Sequence, residues 1–213
     1  MKKILLISDT HGYIDDVIIK YAKSADLVLH AGDIGDVKVI DELSKISITK
    51  AVFGNIDSAE IRSMTKENEL FEIEGFKILI THIAGKQPKY NKRVLNLIQK
   101  ESPNLLIYGH SHILKIENDK KNNLLCINPG AAGRHGFHKK RTMIRFNLNN
   151  KQIEKTEIIE LGDRSSLSNL SIESINSWSF FKELSEIAKS VVTKAKYINP
   201  YALLSLKKTD FKM

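Results

Sequence analysis

Seven side chains able to ligate a metal ion fall in five short blocks: Asp9-Thr10-His11, Gly32-Asp33, Gly54-Asn55, Thr81-His82 and Gly109-His110-Ser111-His112. Each block follows an apolar run that reads as a strand. Metal chemistry needs ligands from distant parts of a chain to converge, and a sheet that presents several strand ends at one edge supplies that convergence. Imidazole nitrogens and carboxylate oxygens suit zinc, manganese, iron or nickel better than calcium. Asp9 and His11 lie two residues apart, close enough to point at one ion. Asp33 has two oxygens that can bridge a pair of ions, and Asn55 offers a neutral amide oxygen. Glycines 32, 54 and 109 precede three of the ligands, where the backbone must turn sharply or leave room. The blocks together describe a site for two metal ions.

Taken singly, each block has an ordinary reading. A histidine at a strand end is commonly a hydrogen-bonded boundary residue, an aspartate after a strand commonly caps a helix, and Gly-Asn is commonly a turn. Independent caps and turns, however, have no reason to supply two carboxylates, one amide and four imidazoles, all after apolar runs. Gly-His-Ser-His is the most specific block, Asp-Thr-His the next.

The elements that must carry these blocks alternate over the first 112 residues. Strands are expected at Lys3 to Ser8, Asp26 to Ala31, Ile48 to Phe53 and Leu105 to Tyr108, and a hairpin of Glu69 to Ile73 with Phe76 to Ile80 across Glu74-Gly75. Helical spacing runs from Tyr13 to Lys23, from Asp36 to Ile46 with Val37, Ile40 and Leu43 inward, and from Lys89 to Lys100 with Val94, Leu95 and Ile98 inward. The stretch before Glu69 reads as irregular. From Ile113 to Leu161 the chain turns to strands separated by polar turns at Asn118 to Asn123 and Asn147 to Lys151. An α/β domain with a mixed sheet, or two packed sheets, follows. The expected domain spans residues 1–163. Residues 164–213 read as a Ser-rich link and a helical extension whose apolar face runs from Ile172 to Val191, ending at Pro200.

Length and composition bound the rest. The chain of 213 residues with 42% hydrophobic content suits one domain with an appendage. No apolar run is long enough for a signal peptide core or a membrane span. A single cysteine, Cys126, excludes an intrachain disulfide and suggests a reducing, cytoplasmic setting, with the thiol itself a packed residue. The net charge of +8 invites a nucleic-acid reading. The lysines are scattered, however, and the dense clusters Lys120-Lys121 and Lys139-Lys140-Arg141 lie beside turns, so a solvated basic surface is expected and a polymeric nucleic acid is not.

In these ordered blocks the sequence resembles the calcineurin-like phosphoesterase superfamily, whose pattern is Asp-x-His, Gly-Asp, Gly-Asn, a lone His and then Gly-His-x-His. In detail it resembles the small bacterial and archaeal phosphodiesterase branch that includes the YfcE-like group. The resemblance covers residues 1–161, with Asn128-Pro129-Gly130 matching the loop after the histidine pair. It implies a four-layer α/β/β/α sandwich of two mixed sheets flanked by helices. It also implies that Asp9, His11 and His112 hold one divalent ion, that Asn55, His82 and His110 hold the other, and that Asp33 bridges them. Manganese is the first expectation, with nickel, zinc, iron or magnesium as alternatives. The implied activity is phosphodiester hydrolysis of a small phosphate ester by in-line attack of a metal-bridging hydroxide, with Asn55 and His110 as catalytic residues.

One departure from the family pattern matters. Many members carry His directly after Gly-Asn, credited with protonating the leaving group, and this chain has Ile56 there. Slow turnover on poor leaving groups and a preference for diesters or activated esters are therefore expected. Asp57 is expected to orient a neighbour or cap a turn, and His30 to be a buried hydrogen-bonding residue or a support for Asp33. Asn55, Arg134 and His135 are candidates to meet the substrate phosphate; the loop carrying Arg134, His135 and His138 reads equally as solvated. Two other readings stay open: a non-catalytic scaffold on the same fold, as a related retromer subunit exemplifies, and a metal-dependent nuclease. A homo-oligomer is compatible with either.

Overall fold

The computed structural model describes residues 1–165; the helix expected between Ile172 and Val191 lies outside the described residues. In chain order the elements are β1 (Lys2–Ile7), α1 (Asp16–Lys23), β2 (Leu27–His30), α2 (Val37–Ser44), β3 (Ile48–Ala51), α3 (Ala59–Met64), β4 (Asn68–Ile73) and β5 (Phe76–Thr81). There follow β6 (Gly85–Lys86), β7 (Lys89–Tyr90), α4 (Lys92–Glu101), β8 (Leu105–Ile107), β9 (Leu114–Asp119), β10 (Leu124–Pro129), β11 (Lys140–Asn149) and β12 (Gln152–Asp163).

Two five-stranded mixed sheets result, ordered β12-β11-β1-β2-β3 and β4-β5-β8-β10-β9. Strands β1, β2 and β3 run parallel in the first, and β5, β8 and β10 run parallel in the second. The parallel strands at the sheet centres are buried on both faces, which is why Ile4 to Ile7, Leu27 to Leu29 and Leu105 to Ile107 read as unbroken apolar runs. Side-chain alternation then divides each run between two cores. Ile4, Leu6, Leu29, Ile80, Ile107 and Phe146 pack together between the sheets. Leu5 and Ile7 face the other way and meet Ile18 of α1 and Leu43 of α2, while Leu79 and Leu106 meet Val94 and Ile98 of α4. Helices on the outer faces and sheets within give the expected four-layer α/β/β/α sandwich.

Several boundaries differ from the expectation. Helix α1 starts at Asp16, because the Asp15 carboxylate accepts from the Ile18 N–H and caps it there; Tyr13 precedes the helix. Asn91 likewise caps α4 through the Val94 N–H, and Lys89 and Tyr90, expected to open that helix, form β7 and pair with β6 instead. Helix α3, capped by Ser58, occupies part of the stretch read as irregular; six residues are too few to show a period. On α2, Val39 and Leu43 are fully buried whereas Val37 and Ile40 are only partly so, and on α4 Leu97 rather than Leu95 joins the packed cluster. The hairpin turn at Glu74-Gly75 forms as expected, with φ of 50° and 78°, the left-handed pair that a two-residue turn needs. Cys126 is buried 3.3 Å from the Tyr90 hydroxyl, and burial pushes its thiol up to about 11, so it is a packed and unreactive thiol.

Among the described residues, Arg141 is the largest fully buried side chain. Its Nε donates to the Ala132 carbonyl at 2.8 Å, its terminal nitrogen pairs with Asp15 at 2.8 Å, and its guanidinium lies 4.7 Å from the Tyr13 ring centre. It thus joins β11, the loop after β10 and the start of α1. Removing it leaves Asp15 as an unpaired, nearly buried charge, so Arg141→Ala is expected to lower stability by about 3–5 kcal/mol in urea unfolding; a loss below about 1 kcal/mol would show that water replaces the pair.

Candidate functional site

All five blocks lie past the C-terminal ends of parallel strands: Asp9 and His11 after β1, Asp33 after β2, Asn55 after β3, His82 after β5, and His110 and His112 after β8. Because β1, β2 and β3 are neighbours in one sheet, and β5 and β8 are neighbours in the other, face-to-face packing brings all seven residues together. Backbone bonds tie neighbouring loops within each sheet, and a backbone N–H donating to a carboxylate joins the two sheets. The Asp9 N–H donates to the Gly32 carbonyl and the His11 N–H to the Asp33 carbonyl, both at 3.0 Å. The Gly109 N–H donates to the His82 carbonyl at 3.0 Å, and the His110 N–H donates to the Asp9 carboxylate at 3.1 Å.

Asp9, His11, Asp33, His110 and His112 all have left-handed φ, between 48° and 70°. Each such residue costs on the order of 1–2 kcal/mol, less for aspartate, and a fold keeps them where side chains must be aimed. Gly54 is required for a steric reason. A Cβ there would collide with the Asp33 carboxylate, so only glycine lets the end of β3 approach.

The aimed groups form two sets. Ligating atoms of Asp9, His11 and His112 lie within 4.8 Å of one another, and so do those of Asp33, His82 and His110. Asp33 stands between them: its Oδ1 is 3.1 Å from His82 Nε2 and its Oδ2 is 3.9 Å from His11 Nε2. His112 Nε2 is 3.2 Å from Asp9 Oδ1 and 3.3 Å from His11 Nε2. Asn55 lines the cleft beside them.

The chemistry of this donor set fits cations. His82 Nδ1 donates to the Ala31 carbonyl at 2.8 Å, which leaves Nε2 to face the site; Nε2 is buried and makes no hydrogen bond although Asp33 Oδ1 is 3.1 Å away. A ring lone pair and a carboxylate oxygen at that separation repel unless a cation lies between them or a proton takes its place. Burial works against protonation of His82, but the Asp33 and Asp9 carboxylates and the Ala31 carbonyl together outweigh it and raise the His82 pKa. Asp33 shows the counterpart: burial opposes its charge, and His82 nevertheless holds its pKa down. Burial lowers the pKa of His11.

Two buried residues brace the loops. His30 Nδ1 accepts from the Gly32 N–H at 3.2 Å, so Nε2 carries the proton and donates to Thr10 Oγ1 at 2.8 Å; Thr10 donates on to the Ile34 carbonyl at 3.0 Å. Burial takes the His30 pKa down to about 4, keeping the ring neutral in this relay. The Asp57 carboxylate accepts from the N–H groups of Ile34 at 3.1 Å, Gly35 at 2.7 Å and Gly54 at 2.7 Å. It therefore fixes the Asp33 loop to the Asn55 loop, the orienting role expected of it.

The loop after β10 divides the remaining candidates. His135 lines the cleft, its ring centre 4.9 Å from that of His11. Arg134 instead stacks on Tyr13 at 4.8 Å and is not among the residues lining the cleft, because its side chain turns toward the Tyr13 and Arg141 stack. His138, read as part of a loop that could either reach the substrate phosphate or be solvated, touches His112: the two Nδ1 atoms are 3.2 Å apart. Burial lowers its pKa. Its position eight residues past Gly130 carried no periodic or motif signal.

Comparison with known proteins agrees with this architecture. The sequence profile of the calcineurin-like phosphoesterase superfamily domain matches residues 1–151, and the chain belongs to that superfamily. A probable metallophosphoesterase of Methanocaldococcus jannaschii is 30% identical over 132 residues, a span of 59% of this chain and 66% of the relative. The solved structure of an archaeal phosphodiesterase has a TM-score of 0.56 at 25% identity, covering 75% of this chain and 99% of that one. Entamoeba histolytica Vps29, solved with zinc, has a TM-score of 0.58 at 20% identity, covering 76% and 99% of the two chains.

Asp57→Ala removes the acceptor of three backbone N–H groups, two of them buried, and a stability loss of about 3 kcal/mol in urea unfolding is expected; wild-type stability would mean that water serves them. Because its pKa is raised, His82 must give up its proton before its Nε2 can ligate a metal ion. Metal affinity is therefore expected to rise with pH through and above the ordinary imidazole range, with proton release seen by calorimetry in buffers of different ionisation heat. A pH-independent affinity would contradict the His82 assignment.

Proposed function

We propose that this chain is a dinuclear metal-dependent phosphodiesterase. The observation that carries the reading is Asp33, buried between two ligand sets with one oxygen toward each. Asp9, His11 and His112 would hold one divalent ion, Asn55, His82 and His110 the other, and Asp33 both. The ions, when bound, neutralise phosphate oxygens and acidify water for in-line attack. The family resemblance makes manganese the first choice, with nickel, zinc, iron or magnesium as alternatives; the imidazole-rich donor set also suits nickel, zinc and iron.

The chain's own residues do the rest. Asn55 can turn its amide oxygen to the metal side and donate its N–H to a phosphate oxygen. His135, at the cleft mouth, supplies a second donor. Ile56 is exposed and lines the cleft, and its backbone N–H donates to Asp33 Oδ1 at 3.2 Å; its side chain offers no proton to a departing alkoxide. Asp57, the carboxylate next to Ile56, is engaged by three backbone donors and is not placed to act as an acid in its stead.

The surroundings favour a diester. Two clefts of about 460 and 430 Å³ diverge from His110, Ser111 and Ile113, which line both. A phosphodiester carries two organic groups that diverge from one phosphorus in the same way. The first cleft has an apolar mouth of exposed Ile56, Ile113 and Phe137, and the second is edged by Tyr108, Lys86 and Lys115.

Metal-stripped protein reloaded separately with manganese, nickel, zinc or magnesium is expected to hydrolyse an aryl phosphodiester well and a simple alkyl monoester poorly. Comparable rates on the two would remove the diester preference, activity confined to DNA would make it a nuclease, and no activity with any metal would refute the proposal. Asp33→Asn is expected to reduce hydrolysis to the metal-free level. Ile56→His is expected to raise turnover of the alkyl monoester by about 10²-fold by restoring a proton donor, with little change on the aryl diester. Phe137→Ala is expected to raise KM for the aryl diester about fivefold, equivalent to about 1 kcal/mol; an unchanged KM would place the substituent elsewhere.

A further inference from the structure

We propose that His138 is a positioning residue that sets the tautomer of His112 and so makes His112 Nε2 a metal ligand. This rests on the dinuclear reading of the site. Donor and acceptor chemistry places each proton in turn. The Gly133 carbonyl can only accept, and His138 Nε2 lies 3.1 Å from it, so that nitrogen carries the proton. In the neutral ring, His138 Nδ1 is then an acceptor. Its neighbour at 3.2 Å is His112 Nδ1, which must donate. His112 Nε2 is left with a free lone pair, 3.2 Å from Asp9 Oδ1 and 3.3 Å from His11 Nε2, in the set of Asp9, His11 and His112.

A ligating histidine ordinarily donates its other N–H to a carboxylate, a carbonyl or water, which fixes its tautomer and ring orientation. His82 follows that pattern directly, through the Ala31 carbonyl. At His112 the carbonyl is one imidazole further away, and His138 fills the gap. The loop is shaped for this contact: Gly136 has φ of 116°, and a Cβ there would collide with the His112 ring. The Gly133 N–H in turn donates to the Asp9 carbonyl at 3.0 Å, anchoring the relay to the block that carries two of the ligands.

The test combines metal titration of the metal-stripped full chain with nitrogen-15 NMR of its imidazoles. In metal-free protein the expected tautomers are Nδ1–H for His112 and Nε2–H for His138. His138→Phe, which fills the space without an acceptor, is expected to weaken manganese about 10–100-fold at one of two binding steps and less than about threefold at the other. His138→Gln, whose amide can accept from His112 and donate to Gly133, is expected to recover most of that loss. Nε2–H on His112 of the wild-type protein, equal affinities for wild type and H138F, or H138Q no better than H138F would each overturn the assignment. Wild-type protein that binds two ions with these tautomers but cleaves no ester would support the assignment while defeating the phosphoesterase reading.

Discussion

The organising constraint is a crowd of buried lone pairs. Asp9 and Asp33, almost fully inaccessible, meet ring nitrogens of His11, His82 and His112 at separations of 3.1 to 3.9 Å. Neutral imidazoles and carboxylates do not attract one another at such distances, and burying unpaired charge is expensive. Protons can stand in, as the raised pKa of His82 records. Divalent ions satisfy the same atoms at once. The loops, left-handed residues and bracing hydrogen bonds hold an arrangement that would otherwise relax apart.

That holding force comes from the two sheets. The strands β1, β2, β3, β5 and β8 end at neighbouring edges only because Leu6, Leu29, Ile80 and Ile107 pack between the sheets. The site then needs local stiffness, which His30, Thr10 and Asp57 provide by satisfying buried donors and acceptors of the Asp9, Asp33 and Asn55 loops. None of these bracing residues lies among the two ligand sets, and each hydrogen-bonds to backbone atoms of the loops or to another bracing residue.

The surroundings differ in character from the centre. Of the large exposed apolar side chains, Ile56, Ile113 and Phe137 gather at one cleft, although they are far apart in sequence. The result is a polar centre beside an apolar lining, and Ile56 contributes to that lining directly after the Gly54-Asn55 block.

Residue types and order determined much of this. The seven candidate ligands follow strands because apolar runs end in polar, glycine-flanked blocks, and these features survive any tertiary arrangement. The central strands, the Glu74-Gly75 hairpin and the role of Asp57 were legible for the same reason: burial on both faces, left-handed turn residues and a carboxylate after Gly-Asn each leave a local trace. Short elements did not, since α3 and the β6–β7 hairpin are too brief for periodicity, and side-chain caps at Asp15 and Asn91 decided where two helices begin. The grouping of ligands into two sets was legible through the family resemblance and not through spacing along the chain, because the distance between the Asp9 and His112 side chains depends on how two sheets pack. Tertiary structure alone decided the fates of the loop residues Arg134 and His138. One stacks on Tyr13 and the other reaches His112, because contacts across the fold, which no spacing along the chain encodes, select the direction each side chain takes.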